Sequence, residues 1–290
     1  VLADTPGEAL LWNVDDTLAT REGPPAAPSR WWAAARESAV LRRTLLLLAL
    51  ALTWELYARW LDNPLLLPTL FDTASALGQG LASGVLVERT LNSLAILGMG
   101  YLAGVLAAAL LCFFAINTRI GADLLTMLAS MFNPLPAIAL LPLALLWFGL
   151  GPKSLVFVLV HSVLWPLALN TFSGLRGVSR TLRMVGANLG LSGLRFALQI
   201  LLLAALPSIL AGLRIGWAFA WRTLIAAEFV FGVSSGSGGL GWFIFENRNQ
   251  LDIADVFAGL LTVILIGLAV EGLLFRSLER LTVERWGMQR

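Results

Sequence analysis

Arg183-Met184-Val185-Gly186-Ala187-Asn188-Leu189-Gly190-Leu191-Ser192-Gly193 lies inside a 174–206 segment that separates two long apolar runs. The segment is too long for a plain turn. It carries Arg176, Arg180, Arg183 and Arg195 and no acid, and it ends in an apolar stretch at Ala205-Leu206-Pro207. Read physically, it is a short helix, a glycine-led turn and a second helix lying along a membrane surface. Such an element cannot bury itself within one chain, so it needs a partner or the lipid headgroups.

Composition supports a membrane reading. Of 290 residues, 58% are hydrophobic and only 13% charged, against about 25% charged in a soluble domain, and mean hydropathy is +0.81. These values exclude an ordinary soluble enzyme, a disordered chain and a nucleic-acid binder with a basic face. One cysteine, Cys112, excludes an internal disulfide and a CxxC pair. One histidine, His161, excludes a His-rich metal site within one chain.

Outward from the loop, six apolar spans are predicted at about 44–61, 88–116, 119–149, 153–173, 207–231 and 254–276. Each is long enough for a hydrocarbon core about 30 Å thick. The third is too long for one straight crossing. Asn133-Pro134-Leu135-Pro136 and Pro142 predict two helical pieces, tolerated at depth only where protein or a cavity surrounds the break. The fold class is therefore an all-α polytopic membrane protein.

Orientation follows the arginines. Arg30, Arg36, Arg42 and Arg43 precede the first span, four arginines lie in 174–206, and Arg276, Arg280, Arg285 and Arg290 close the chain. The alternate loops hold Asp62, Asp72, Glu246, Asp252 and Asp255. Both termini and the 174–206 loop are expected in the cytoplasm of a multi-pass protein. Residues 1–43 read as a segment outside the membrane, with a linker at Gly23-Pro24-Pro25-Ala26-Ala27-Pro28. Their acidic start does not have the pattern of a signal peptide. Ser29 to Arg43 reads either as an interfacial helix with Trp31 and Trp32 at the headgroups or as a polar tail.

On the fifth span, Arg214, Trp217, Trp221 and Glu228 share a stripe about 60° wide. Gly212, Gly216, Ala220, Thr223 and Ala227 lie on the other side, with Gly212 and Gly216 forming a GxxxG pair for close helix packing. The Arg/Trp/Glu stripe is expected to line a cavity. The competing readings are that Arg214 snorkels, that the tryptophans are packing residues, and that Glu228 accepts hydrogen bonds from the glycine loop that follows. Arg222, about 80° off the stripe, is expected to pair with an acid on another helix. His161 and Trp165 share a face of the fourth span; His161 reads as a proton sensor or as a hydrogen-bonded interior histidine. Glu55 and Arg59 have the spacing of a local ion pair, and Glu271 is expected to pair with Arg276 or a headgroup. Gly100 and Gly104 mark a packing face, within the chain or at a dimer seam.

Two glycine motifs are rejected. In Gly149-Leu150-Gly151-Pro152-Lys153-Ser154 a proline stands before the lysine and no strand precedes it, unlike a P-loop. Gly236-Ser237-Gly238-Gly239-Leu240-Gly241 matches GxGxxG but follows a membrane span, not a strand of a βαβ unit.

The 174–206 segment resembles the EAA loop of ABC importer permeases, in which a glycine precedes a proline with the spacing of Gly190 and Pro207. Leu146-Trp147-Phe148-Gly149-Leu150-Gly151, Asn170-Thr171, Leu206-Pro207-Ser208-Ile209, Trp221-Arg222-Thr223-Leu224-Ile225-Ala226-Ala227-Glu228 and Gly239-Leu240-Gly241 resemble the sulfonate/taurine/nitrate branch. The resemblance covers about 44–286, leaving 287–290 as a tail. One departure is that Met184 stands where the loop's acidic residue falls, with Val185 and Gly186 in the two small positions.

The resemblance implies a type I ABC importer permease fold of about six transmembrane helices with a cytoplasmic coupling-helix loop, in a bacterial inner membrane. It implies a homodimer of permeases, two cytoplasmic ABC ATPase subunits that bind ATP and Mg, and a periplasmic solute-binding protein, with no cofactor in this chain. Arg183, Met184, Gly186, Ala187, Leu189, Gly190, Leu191 and Ser192 would couple to the ATPase. His161, Trp165, Arg214, Trp217, Trp221, Arg222 and Glu228 are the translocation-pathway candidates, and the solute a small anion. The alternative is an ion-coupled secondary transporter. It would need its own ion site and often shows inverted repeats, which are not visible here. No catalytic constellation supports an enzyme.

Overall fold

The computed structural model describes residues 39–231, 238–285 and 287. Among them the chain is helical, with no strand. It divides into two units, residues 1–56 and 57–290. The first is described only through the start of helix α1, Ala39–Leu61. The stretch 29–38, with Trp31 and Trp32, lies outside the described residues.

The second unit contains α2 (Leu70–Ala82), α3 (Val85–Asn117), α4 (Arg119–Phe132), α5 (Leu141–Phe148), α6 (Pro152–Arg176), α7 (Arg180–Asn188), α8 (Leu202–Phe231), α9 (Leu240–Gln250) and α10 (Ile253–Ala269). Among the described residues, five helical stretches, α1 included, are long and apolar enough to cross a membrane. Arg119–Phe132 with Ala137–Phe148 makes a sixth, bent by 90° at the break. The bend falls at Asn133-Pro134-Leu135-Pro136, where two prolines remove the backbone donors that a continuous helix would need.

α6 is the central helix, and small residues let its neighbours close on it. A Cβ on Gly100 or Gly104 of α3 would come within 2.5 Å of Leu159 or 2.7 Å of Val163. On α8, Gly212 sits against Leu167 and Asn170, and Gly216 against Val163. The α3 glycine pair is thus a packing face within the chain, and the α8 GxxxG pair packs on α6 as expected. The core they enclose includes Leu97, Leu159, Val163, Ala168, Ala220 and Leu224.

Four elements differ from the sequence reading. α2 and α9 are short helices between spans, invisible to a search for runs of about 20 apolar residues. Thr69 caps α2 by accepting from the Asp72 backbone N–H at 3.1 Å and donating to its carboxylate at 2.7 Å. The second helix of the 174–206 segment is not a separate surface helix. It starts at Gly193–Phe196, passes a π turn at Ala197–Leu201 and continues through Pro207 into α8. Proline there removes one backbone hydrogen bond without ending the helix. The last span likewise runs past its predicted end, through π turns at Val270–Phe275 and Arg280–Glu284.

Candidate functional site

The broken span opens a cavity of about 360 Å³. Residues 133–138 form one wall, His161, Ser162, Trp165 and Pro166 of α6 a second, and Phe219, Arg222, Thr223 and Ala226 of α8 a third. Phe132 stacks on Trp165 with ring centroids 5.6 Å apart and meets His161 edge-on at 6.4 Å. Ser162 and Thr223 hydroxyls approach to 3.2 Å across the α6–α8 seam. Among the described residues, the ring nitrogens of His161 and Nε1 of Trp165 are buried without a well-formed hydrogen bond, and Trp165 is 6% exposed. Buried donors without partners are uncommon, because each forfeits its hydration without replacement.

Arg222 is the one charged side chain on the described lining. Among the described residues no acid on another helix pairs with it. Its Nε donates to the Ala218 carbonyl at 2.9 Å and its guanidinium lies 5.1 Å from the Phe219 ring centre. A cation held by its own helix and an aromatic face is oriented but not neutralised.

The rest of the α8 stripe faces elsewhere. Trp217 and Trp221 stack at 6.3 Å. Trp217 meets Tyr101 of α3 edge-on at 5.8 Å, and Trp221 donates from Nε1 to the Val263 carbonyl of α10 at 3.3 Å. Both belong to the packed core or its margin, not to the cavity lining. Arg214 forms an ion pair with Glu271, so Glu271 reaches α8, not Arg276. The cavity is lined from the face of α8 roughly opposite the tryptophans. α3 and α10 cover Trp217 and Trp221, whereas Arg214 lines a separate hollow with Pro207, Phe275 and Glu279; the displaced span leaves the other side of α8 open. The signal for the cavity was the Asn-Pro-Leu-Pro break itself, which is stable at depth only beside protein or a cavity.

Glu228 has the structural role that was one of its two readings. It is 2% exposed. Ser93 Oγ of α3 donates to its carboxylate at 2.8 Å, and the Gly241 N–H donates to it at 3.0 Å. Ser93 also accepts the Leu240 N–H at 2.9 Å. A Cβ on Gly239 would overlap both the Glu228 carboxylate and the Ser93 hydroxyl. The start of α9 is thus tied to α3 and α8. Nearby, Arg89 pairs with Glu246 at 3.3 Å and Asn92 donates to the Gly238 carbonyl at 3.1 Å. Gly236 and Ser237 of the GxGxxG stretch lie outside the described residues.

At the other end of α6, the 177–192 loop is a built element. Ser179 caps α7 through the Leu182 N–H. α7 ends with Gly190 at φ +72, where the Gly190 N–H reaches the Ala187 carbonyl and the Leu191 N–H the Gly186 carbonyl, each at 3.0 Å. That is a Schellman closure, which favours glycine at the left-handed position. A Cβ on Gly186 would come within 2.6 Å of the Phe196 ring, so α7 is seated on the start of the α8 stretch. Arg183 does not project outward. Its Nη2 donates to the Leu175 carbonyl at 2.8 Å and its Nε to the Val178 carbonyl at 3.2 Å, binding the loop to the end of α6. The outward face offers Met184, Val185 and Leu189, the last 69% exposed; Ala187 and Ser192 belong to the same loop.

Comparison with known proteins places this architecture. Residues 100–283 match the model of the binding-protein-dependent transport system inner membrane component family. A protein of Methanocaldococcus jannaschii described as an ABC transporter permease protein is 33% identical over 236 residues, 80% of this chain and 87% of that one. The taurine transport system permease protein of Escherichia coli is 32% identical over 151 residues, 52% of this chain and 53% of its own length. The nitrate import permease protein of a Synechocystis species is 32% identical over 149 residues, again about half of each chain (51% and 53%). These matches support the importer and not the ion-coupled carrier. A component of such a system works with ATPase and solute-binding partners, and it is a transport subunit, not an enzyme. The chain belongs to the binding-protein-dependent transport system inner membrane component family, as a membrane-spanning permease subunit of an ABC importer.

Proposed function

We propose that the cavity at the 133–136 break is this chain's share of the translocation pathway for a small anionic solute. The observation that carries the reading is Arg222, a membrane-embedded cation on a cavity with no carboxylate among its described lining residues. An uncompensated charge at membrane depth costs roughly 2.5–3.5 kcal/mol, a cost that a passing anion offsets. The names of the similar permeases mention nitrate, an anion, and taurine, a zwitterion with an anionic sulfonate group, which agrees with a solute bearing an anionic group.

The pathway is completed by a second copy of the permease. Two ATPase subunits, which bind ATP and Mg²⁺, seat on the α7–Gly190 loop, and a periplasmic binding protein delivers the solute to the opposite side. Both termini and the 177–192 loop lie in the cytoplasm of a bacterial cell, by the arginine bias. Gly186, Gly190 and the exposed Met184, Val185 and Leu189 make the docking ridge. Arg183 supports it from behind through its two carbonyl contacts.

The test is uptake into vesicles carrying the assembled importer. Arg222→Gln should lower uptake of an anionic solute such as nitrate or an alkanesulfonate by about tenfold, the worth of one charge-assisted hydrogen bond, with assembly intact. Arg222→Lys should recover part of it. Unchanged uptake in Arg222→Gln would remove the cavity from the pathway.

A further inference from the structure

A second hollow of about 390 Å³ lies at the membrane boundary, where α3 ends, α4 begins and α6 ends. It is independent of the cavity that carries the transport reading. Arg119, Arg176 and Arg183 converge on it, and no acid is among its described lining residues. The Arg176 guanidinium lies 5.3 Å from the centre of the Phe172 ring. Arg183 gives Nε and one Nη2 hydrogen to carbonyls, which fixes the guanidinium and leaves its other hydrogens free. Arg119 and Arg176 are exposed. The Arg89–Glu246 and Arg214–Glu271 ion pairs involve none of the three. Asp123, one turn after Arg119, is exposed and does not line the hollow.

Three like charges around one hollow repel one another unless an anion lies between them. Arginine forks match phosphate oxygens in pairs. The remaining wall is apolar, with Phe172, Leu175 and Leu201 buried behind it. Leu102, Leu106, Leu110 and Phe113 form an exposed row along α3, between 62% and 69% exposed. They lie on the same stripe as Asn117, which lines the hollow. A soluble phosphate would use the arginines alone; a phosphate with hydrocarbon chains would use both features. Basic pockets between transmembrane helices at this level bind anionic headgroups. We propose that the pocket binds the phosphate of an anionic phospholipid, with its acyl chains laid along the Leu102–Phe113 row of α3.

The experiment uses the full-length permease purified in detergent with the subunits that accompany it. Dioleoyl-phosphatidylglycerol, dioleoyl-phosphatidylcholine and inorganic phosphate are added separately. Binding is read by native mass spectrometry and by the shift in melting temperature. Phosphatidylglycerol should bind and stabilise, whereas phosphatidylcholine and inorganic phosphate should not. R119Q/R176Q should weaken phosphatidylglycerol binding roughly 30-fold, at about fivefold per arginine near the membrane surface. R280Q/R285Q removes the same charge from the exposed C-terminal stretch and should leave binding within about twofold of wild type, since it leaves those three arginines in place. If R119Q/R176Q fails to assemble, R119Q alone should show the single-arginine step. Equal loss in R280Q/R285Q would reduce the effect to diffuse charge and overturn the site. Binding of phosphatidylcholine as tight as that of phosphatidylglycerol would do the same. Stabilisation by inorganic phosphate matching that by phosphatidylglycerol would overturn the lipid assignment in favour of a free anion.

Discussion

Trp217 shows how one side chain changes meaning once its neighbours are known. On the sequence it shares a stripe with two charged residues, which suits a cavity; in the fold it packs on Tyr101 and Trp221. Trp217→Ala should therefore lower thermal stability by about 2 kcal/mol, a discount on the 3–5 kcal/mol of a fully buried tryptophan. Residual transport should track the amount of folded protein. A variant folded like wild type yet inactive would return Trp217 to the pathway. Glu228 gives a second residue-scale test. Glu228→Ala strands the Ser93 hydroxyl and the Gly241 N–H, roughly 1–3 kcal/mol for each buried group left unpaired. Limited proteolysis should then cut within 238–250 faster than in wild type. Glu228→Gln, which keeps an acceptor oxygen, should cost less.

Among the elements, the α7–Gly190 loop carries the sharpest expectation. Open space surrounds a Cβ at Gly190, so a substitution is strained by its φ of +72, not by a clash. Gly190→Ala should cost roughly 1–2 kcal/mol of local stability. Gly190→Asp should leave the permease inserted but weaken ATPase attachment, or leave hydrolysis unresponsive to the loaded binding protein. Stimulation of the purified complex measures this, and normal stimulation with normal uptake would show that the ridge is not the coupling element. The α3–α6 seam is the opposite case, because its glycines are crowded. Gly104→Leu drives a side chain into Val163 and the Val160 carbonyl. Overpacking of this kind costs about 1–3 kcal/mol or more and should reduce assembled protein in the membrane.

At the scale of the whole molecule, topology is the open quantity. Cys112 is buried, with its Sγ 3.4 Å from the Ala168 carbonyl, so Cys112→Ala provides a background for labelling. Ser179→Cys, at the cap of α7, and Asn249→Cys, near the end of α9, should react from opposite sides of the membrane, with Ser179→Cys cytoplasmic. Labelling of both from one side would break the six-crossing arrangement. On the proposed topology, Glu228 and α9 would lie on the side where a binding protein docks, and the arginine hollow on the side of the ATPases.

Local sequence features suffice for the membrane class, five or six membrane-crossing stretches with a break in one, the glycine seams and the helix–turn loop. Each of these rests on local quantities: the length of an apolar run, the positions of proline and glycine, the spacing of small residues. The match of Gly190 and Pro207 to a family pattern was legible for the same reason. Tertiary structure decided which side of α8 meets the cavity, because helical period defines faces but not what covers them. It decided that Glu271 pairs with Arg214 and that Arg222 pairs with no acid among the described residues, because partners on other helices have no fixed sequence separation. It also revealed α2 and α9, whose contacts with the bundle, such as Glu228 with the Gly241 N–H, exist only once distant segments meet. The arginine hollow belongs with these: Arg119, Arg176 and Arg183 are ordinary basic residues near the ends of three helices until folding brings those ends together.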